Sequence, residues 1–211
     1  MLNVAVLGSG RGSNFQAILN AIDAGTLQGV RIALVLSNNS GAGILNIARS
    51  RGLPAVHMSE KQFHNEPSFV DAFLATLHRH GADFVALAGY MKRVPPRVIA
   101  TFRNRIVNIH PALLPKFGGK GMYGIHVHEA VLAAGEKVSG ATVHIVDEEY
   151  DRGPIVLQRQ VAVRPDDTPE TLAARVLQVE HQIYPEALGL LADGRMISPY
   201  TQQPNIEQES T

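Results

Sequence analysis

Short runs of β-branched and aliphatic residues alternate with amphipathic stretches of helical length as far as residue 110. This alternation constrains the fold more than any other feature of the chain. Strands are predicted at residues 4–7, 32–36, 55–57, 84–88 and 106–109. Helices are predicted at 15–24, 44–51, 69–80 and 95–102, the last opened by Pro95. Such an order calls for a parallel sheet covered by helices, and right-handed crossovers make it doubly wound. Beyond Pro111 the pattern changes to a glycine-rich stretch at 115–125, a helix at 127–134 and strands at 139–146 and 155–163. The polar connection 147–154 suits an antiparallel hairpin. A last helix starts at Thr168, with Asp167 or Thr168 as cap, Pro169 in its first turn and Glu170 at its positive end. It is expected to run to about Ala192. The fold class expected is α/β: a doubly wound, mostly parallel sheet with helices on both faces and an antiparallel C-terminal addition. Residues 1–200 are expected to form one domain and 201–211 a polar tail.

Composition then removes whole classes of function. A chain of 211 residues can bury roughly 70% of its unfolded surface, so it needs no covalent or metal staple. Nineteen basic against nineteen acidic residues leave no net charge, which argues against a nucleic-acid footprint. No window approaches the ~18 apolar residues of a membrane span. The first apolar run is too short for a signal-peptide core, so a cytoplasmic location is expected. Without a single cysteine, disulfides, zinc–thiolate sites and cysteine nucleophiles are excluded.

The loop Gly8-Ser9-Gly10-Arg11-Gly12-Ser13-Asn14 joins the first strand to the first helix. Glycines let main-chain amides face outward at a helix N-terminus, which suits an anion, and Ser13 and Asn14 can cap the helix or donate to phosphate oxygens. The third glycine falls one residue early for a dinucleotide fingerprint, and no lysine follows as in a Walker loop. The loop therefore reads as a phosphate cradle of unspecified kind or as a tight turn before a capped helix. Asn108-Ile109-His110-Pro111 closes a predicted strand, where residues two apart share a face and Pro111 keeps His110 extended. An amide and an imidazole side by side there can polarise one carbonyl, as an oxyanion hole does. Alternatively, both side chains cap a strand-end turn. Asp151, in Asp147-Glu148-Glu149-Tyr150-Asp151-Arg152-Gly153-Pro154, is either one charge of a solvated turn or a carboxylate folded over the strand end. In the second case it would raise the His110 pKa and favour imidazolium.

Together these segments resemble the phosphoribosylglycinamide formyltransferase family of folate-dependent enzymes. The resemblance includes Leu87-Ala88-Gly89-Tyr90-Met91, Asn108 through Pro115, Gly140-Ala141-Thr142-Val143-His144, Asp151-Arg152-Gly153-Pro154 and Glu180-His181-Gln182-Ile183-Tyr184-Pro185. It implies that Gly12, Ser13, Asn14 and Glu180 hold glycinamide ribonucleotide. It also implies that Met91, Lys92, Arg93 and Val94, with Asn108 and Asp147, Glu148, Glu149, Tyr150 and Asp151, hold 10-formyltetrahydrofolate. Asn108, His110 and Asp151 match the catalytic trio. Relatives with other acceptors carry an added C-terminal barrel or N-terminal regulatory domain, and the length predicts neither here. Two features depart from the family. Glu66 stands where an ungapped count places a folate-contacting arginine. The stretch Lys116-Phe117-Gly118-Gly119-Lys120-Gly121-Met122-Tyr123-Gly124 is longer than in some members, and reads as a mobile lid carrying Lys120 to an anion or as a flexible surface loop. His126 and His128 lack a third ligand in sequence reach, so no metal is expected.

The reaction implied is formyl transfer from 10-formyltetrahydrofolate to the amine of glycinamide ribonucleotide, in de novo purine biosynthesis, by direct attack through a tetrahedral intermediate. The two small molecules are the expected partners, with no nucleic acid or membrane, and the protein is expected as monomer or homodimer. Two other readings stay open at this point. One is a formyltetrahydrofolate hydrolase, which gives the formyl group to water; the other is a non-catalytic nucleotide-binding module, which has no need of the Asn108/His110 pair.

Overall fold

The structure, a computed structural model, describes residues 1–195; the expected tail at 201–211 lies outside the described residues. Seven strands form one sheet: β1 (Leu2–Leu7), β2 (Val30–Ser37), β3 (Ala55–His57), β4 (Phe84–Leu87), β5 (Ile106–His110), β6 (Val138–Ile145) and β7 (Ile155–Ala162). Their order is β3-β2-β1-β4-β5-β6-β7. The first five run parallel, while β6 pairs antiparallel with both β5 and β7. This is the doubly wound, mostly parallel sheet with an antiparallel C-terminal part. The expected hairpin is β6–β7; the antiparallel joint with β5 was not legible, because the intervening helix hides the pairing.

Six helices cover the sheet: α1 (Ser13–Asp23), α2 (Gly43–Ser50), α3 (Glu66–Arg79), α4 (Pro96–Thr101), α5 (Ile125–Ala133) and α6 (Pro169–Ala192), with a short 3-10 turn at Glu60–Gln62 that the periodicity did not show. Strand β1 explains why both faces must be covered, since Val4, Ala5, Val6 and Leu7 are all fully buried. Val4 and Val6 pack with Phe15 and Ile18 of α1, Ile44 and Leu45 of α2 and Leu172 and Val176 of α6. On the other face Ala5 and Leu7 pack with Phe69 and Phe73 of α3 and Val98 of α4.

Helix α6 begins where expected. The Thr168 hydroxyl accepts from the Thr171 amide at 3.3 Å, and the Thr171 hydroxyl accepts from the Thr168 amide at 2.9 Å. Asp167 does not cap; it pairs with Arg175 at 2.7 Å. Deeper along α6 the Tyr184 hydroxyl, fully buried, donates to the Leu87 carbonyl at 2.9 Å. That bond ties α6 to the carboxyl end of β4, beside the point where the strand order reverses between β1 and β4. Open α/β sheets place ligands at this crevice.

Candidate active site

A cleft of about 800 Å³ opens at this edge, within the range of small-ligand sites. Its floor is the end of β5. Asn108 and His110 share a face, as their spacing requires, and the antiparallel register sets Asn108 opposite His144 and His110 opposite Thr142. The His144 Nδ1 donates to the Ile145 carbonyl at 3.0 Å, so its Nε2 is free to accept from the Asn108 amide at 3.1 Å. That bond orients the Asn108 amide and leaves its second N–H uncommitted. Thr142 secures the turn after His110, donating to the Ala112 carbonyl at 2.6 Å and accepting from the Leu114 amide at 3.2 Å.

Asp151 arrives from the β6–β7 connection. It has a left-handed backbone (φ 55°), which Asp tolerates better than most residues. Two residues on, a Cβ at Gly153 would lie 1.9 Å from the Ile145 carbonyl oxygen, so only glycine lets the connection pack this closely on β6. Asp151 therefore sits between two imidazoles: Oδ2 is 3.7 Å from His110 Nδ1 and Oδ1 is 3.5 Å from His144 Nε2. Of the two readings of this acidic turn, the structure selects the carboxylate folded over the strand end. His144 is a polar member of the cluster that the sequence did not single out. Its only signal was a third polar residue, after Ser139 and Thr142, in a mostly apolar strand.

Of the glycine-rich stretch at 116–124, residues 117–119 pack into the site, whereas Lys116, Lys120, Gly121, Tyr123 and Gly124 are exposed. His110 Nε2 donates to the Phe117 carbonyl at 2.8 Å, and the Gly119 amide donates to Asp151 Oδ2 at 2.9 Å. A Cβ at Gly118 would meet Leu114 Cδ2 at 2.6 Å and the Asp151 Cβ at 3.0 Å. Lys120 lines the cleft, whereas Lys116 pairs with Glu136 at 3.0 Å.

Electrostatics correct one expectation. Burial pushes the His110 pKa down; the Asp151 carboxylate and the Phe117 carbonyl pull it back up, His144 opposes them, and the net shift is downward. His110 is thus a neutral donor near pH 7, not the imidazolium that a carboxylate neighbour alone would give. For Asp151 the balance is reversed: burial pushes the carboxyl up, but His144, His110 and the Gly119 amide together hold it below its ordinary value.

The two folate-assigned segments meet across the cleft. The Arg93 guanidinium lies over the Tyr150 ring, 5.5 Å from its centroid, and donates to the Glu148 carbonyl at 3.5 Å. Met91 and Lys92 are exposed, Val94 is buried, and the Asp147 carboxylate accepts from the Glu149 amide at 2.9 Å. Glu66 is exposed and is not among the residues lining the cleft.

The first loop differs in part from expectation. Gly12, with φ 85°, is the N-cap of α1, and neither Ser13 nor Asn14 caps the helix through its side chain. Asn14 turns instead to Glu180, donating from Nδ2 to the carboxylate at 2.6 Å. Both are 8% exposed and line the cleft, which Gly12 and Ser13 do not. Asn14 Oδ1 has no partner. Burial raises the Glu180 pKa, and the Asn14 bond opposes it. His128, buried on α5, also lines the cleft with Nδ1 unpartnered, and burial lowers its pKa. Among the described residues no three His, Cys, Asp or Glu side chains form a metal-binding group, and no helix is long and apolar enough to cross a membrane.

A doubly wound sheet with a glycine loop after β1 and an amide–imidazole–carboxylate cluster at the end of β5 places carbonyl-polarising and proton-accepting groups together at the ligand edge of an α/β sheet. The sequence profile described as formyl transferase matches residues 2–188, and the chain belongs to that family. It is 44% identical over 92% of its length to a chloroplastic phosphoribosylglycinamide formyltransferase of Arabidopsis thaliana, and spans 66% of that relative, just under two thirds. It is 38% identical to the phosphoribosylglycinamide formyltransferase of Haemophilus influenzae, over 93% of this chain and 90% of that one. The solved structure of glycinamide ribonucleotide transformylase 1 from Symbiobacterium toebii superposes with a TM-score of 0.87 at 42% identity, covering 94% of this chain and 91% of that one.

Proposed function

We propose that this protein transfers the formyl group of 10-formyltetrahydrofolate to the primary amine of glycinamide ribonucleotide. The observation that carries the reading is the convergence of Asn108, His110 and Asp151 on one cleft in a chain of this family. The cleft fits the co-substrate: apolar Val94, Ile99 and Val146 and the Arg93–Tyr150 stack form a wall for a flat ring system. When bound, the folate supplies the electrophilic formyl carbon.

The chain's own groups do the rest. Asn108 donates its uncommitted N–H to the oxygen that takes up negative charge as the amine adds. His110 donates its Nε2–H to the same oxygen, exchanging the Phe117 carbonyl for it. Asp151 stays ionised beside His110 Nδ1, and its carboxylate orders a water that takes the proton from the attacking amine and delivers it to the leaving nitrogen. Asn14 and Glu180 receive hydrogen-bond donors of the ribonucleotide, and Gly12 and Ser13 lie under its phosphate. Met91–Val94 and Asp147–Asp151 enclose the folate. The proposal extends to a cytoplasmic location and a monomer or homodimer, the latter checked by sedimentation.

The deciding experiment measures amine-dependent formyl transfer against release of free formate. Formate release independent of the ribonucleotide would turn the reading into a hydrolase; neither product would leave a binding module.

A further inference from the structure

Residues 10–12 are pinned against the first turn of α2. The Gly10 carbonyl accepts from the Ile44 amide at 3.2 Å, a Cβ at Gly12 would lie 2.8 Å from the Ile44 Cα, and one at Gly43 would lie 2.8 Å from the Arg11 carbonyl. From this fixed backbone the exposed Arg11 side chain lines the cleft, and among the described residues it has no ion-pair partner. The first turn of α1 beside it carries no side-chain cap, so no side chain occupies the amides that an anion would use. A second, independent sign of a ligand is Asn14, more than nine-tenths buried against the same cleft, with an acceptor oxygen that no protein group satisfies; it calls for a donor such as a hydroxyl of the molecule whose anion Arg11 meets, not for the anion itself. The α6 wall offers no cation here: its cleft residues are Glu170, Ala173, Ala174, Leu177 and Glu180. Of the other cations lining the cleft, Arg93 is committed to Tyr150 and Glu148, Lys92 adjoins it, and Lys120 belongs to the 116–124 loop.

We propose that Arg11 supplies the guanidinium that pairs with the substrate phosphate beside the uncapped amides of α1, and so makes this site select a phosphomonoester. The inference rests on the assignment of this loop to the ribonucleotide. A planar fork on a rigid backbone matches two phosphate oxygens at once, which a mobile lysine does not. Gly12 and Ser13, which are not among the residues lining the cleft, then contribute no more than main-chain amides at the start of α1.

The test compares wild type with Arg11→Ala and with Arg11→Gln, which keeps length and removes charge where alanine costs stability. Loss of a charge-assisted pair is expected to raise the ribonucleotide KM about tenfold or more. The formyl-folate KM should stay unchanged. Inorganic phosphate, titrated calorimetrically and as an inhibitor competitive with the ribonucleotide, should weaken by the same factor. The unphosphorylated ribonucleoside should be used equally by all three proteins. Phosphate binding as tight in a folded variant as in wild type overturns the proposal, as does an equal loss for nucleoside and nucleotide. Calorimetry separates the two claims: a wild type that binds phosphate through Arg11 yet transfers no formyl group sinks the activity and retains the phosphate site.

Discussion

Beside one part of the cleft, residues 8–14 offer a rigid backbone of glycines and a helix start held by a neighbouring turn, from which Arg11 and Asn14 reach the lining. In another, Asn108, His110, His144 and Asp151 offer side chains from three segments spread over more than forty positions of sequence. The first region is local and is stabilised by main-chain contacts, such as the Gly10–Ile44 bond. The second exists only when β6 has paired antiparallel with β5 and the following turn has closed over both. Backbone sites lose affinity when a side chain intrudes, whereas convergent sites lose chemistry when one member is removed or one strand slips.

The largest effect expected is on the convergent side. His110→Ala should keep the fold and lose about 10²–10³ in turnover, as when one oxyanion donor is deleted; retention of more than about a tenth of wild-type activity breaks the two-donor scheme. Asp151→Asn comes next, with turnover reduced about a hundredfold by loss of the proton relay. Because the carboxylate raises the His110 pKa against burial, its removal should move that pKa further down, and a histidine NMR titration of both proteins reads the shift. An unmoved titration with collapsed turnover would assign Asp151 to loop geometry instead.

Ser13→Asp probes the backbone region. A carboxylate set beside the phosphate should raise the ribonucleotide KM about tenfold through like-charge repulsion and leave the folate KM alone; the reverse pattern exchanges the two pockets. Smaller still is Tyr184→Phe. It removes the hydroxyl bonded to the Leu87 carbonyl and should cost about 1 kcal/mol in urea unfolding. Last is a pH effect on stability. Burial lowers the pKa of His110, His128 and His181, so near pH 6 the unfolded chain binds more protons than the folded one. Stability should therefore rise with pH through the ordinary histidine range, with melting at pH 5.5 below that at pH 7.5.

The parallel half was legible because its signals are local. Runs such as residues 4–7 and 84–88 have no polar interruption, and Pro95, Thr168 and Pro169 punctuate helices chemically. The spacing of Asn108 and His110 announced a shared face. What the sequence could not carry was pairing and depth. The partnership of Asn108 with His144 depends on strand register, and the turn of Asn14 toward Glu180 depends on α6 lying against α1. The sign of the His110 shift depends on burial, which no neighbour in sequence reports. Ser13 looked like a cap because serine is a frequent one, yet Gly12 in a left-handed conformation starts the helix without it.

The Phe117 carbonyl on His110 Nε2 gives the site a built-in competitor. A neutral formyl oxygen arriving there replaces one carbonyl acceptor by another of nearly equal strength, so the ground state gains almost nothing. An oxygen that has taken up charge is about twice as good an acceptor and wins the exchange. The loop thereby sets a threshold that only the reacting species crosses, and His110 spends its hydrogen bond on the transition state rather than on bound substrate.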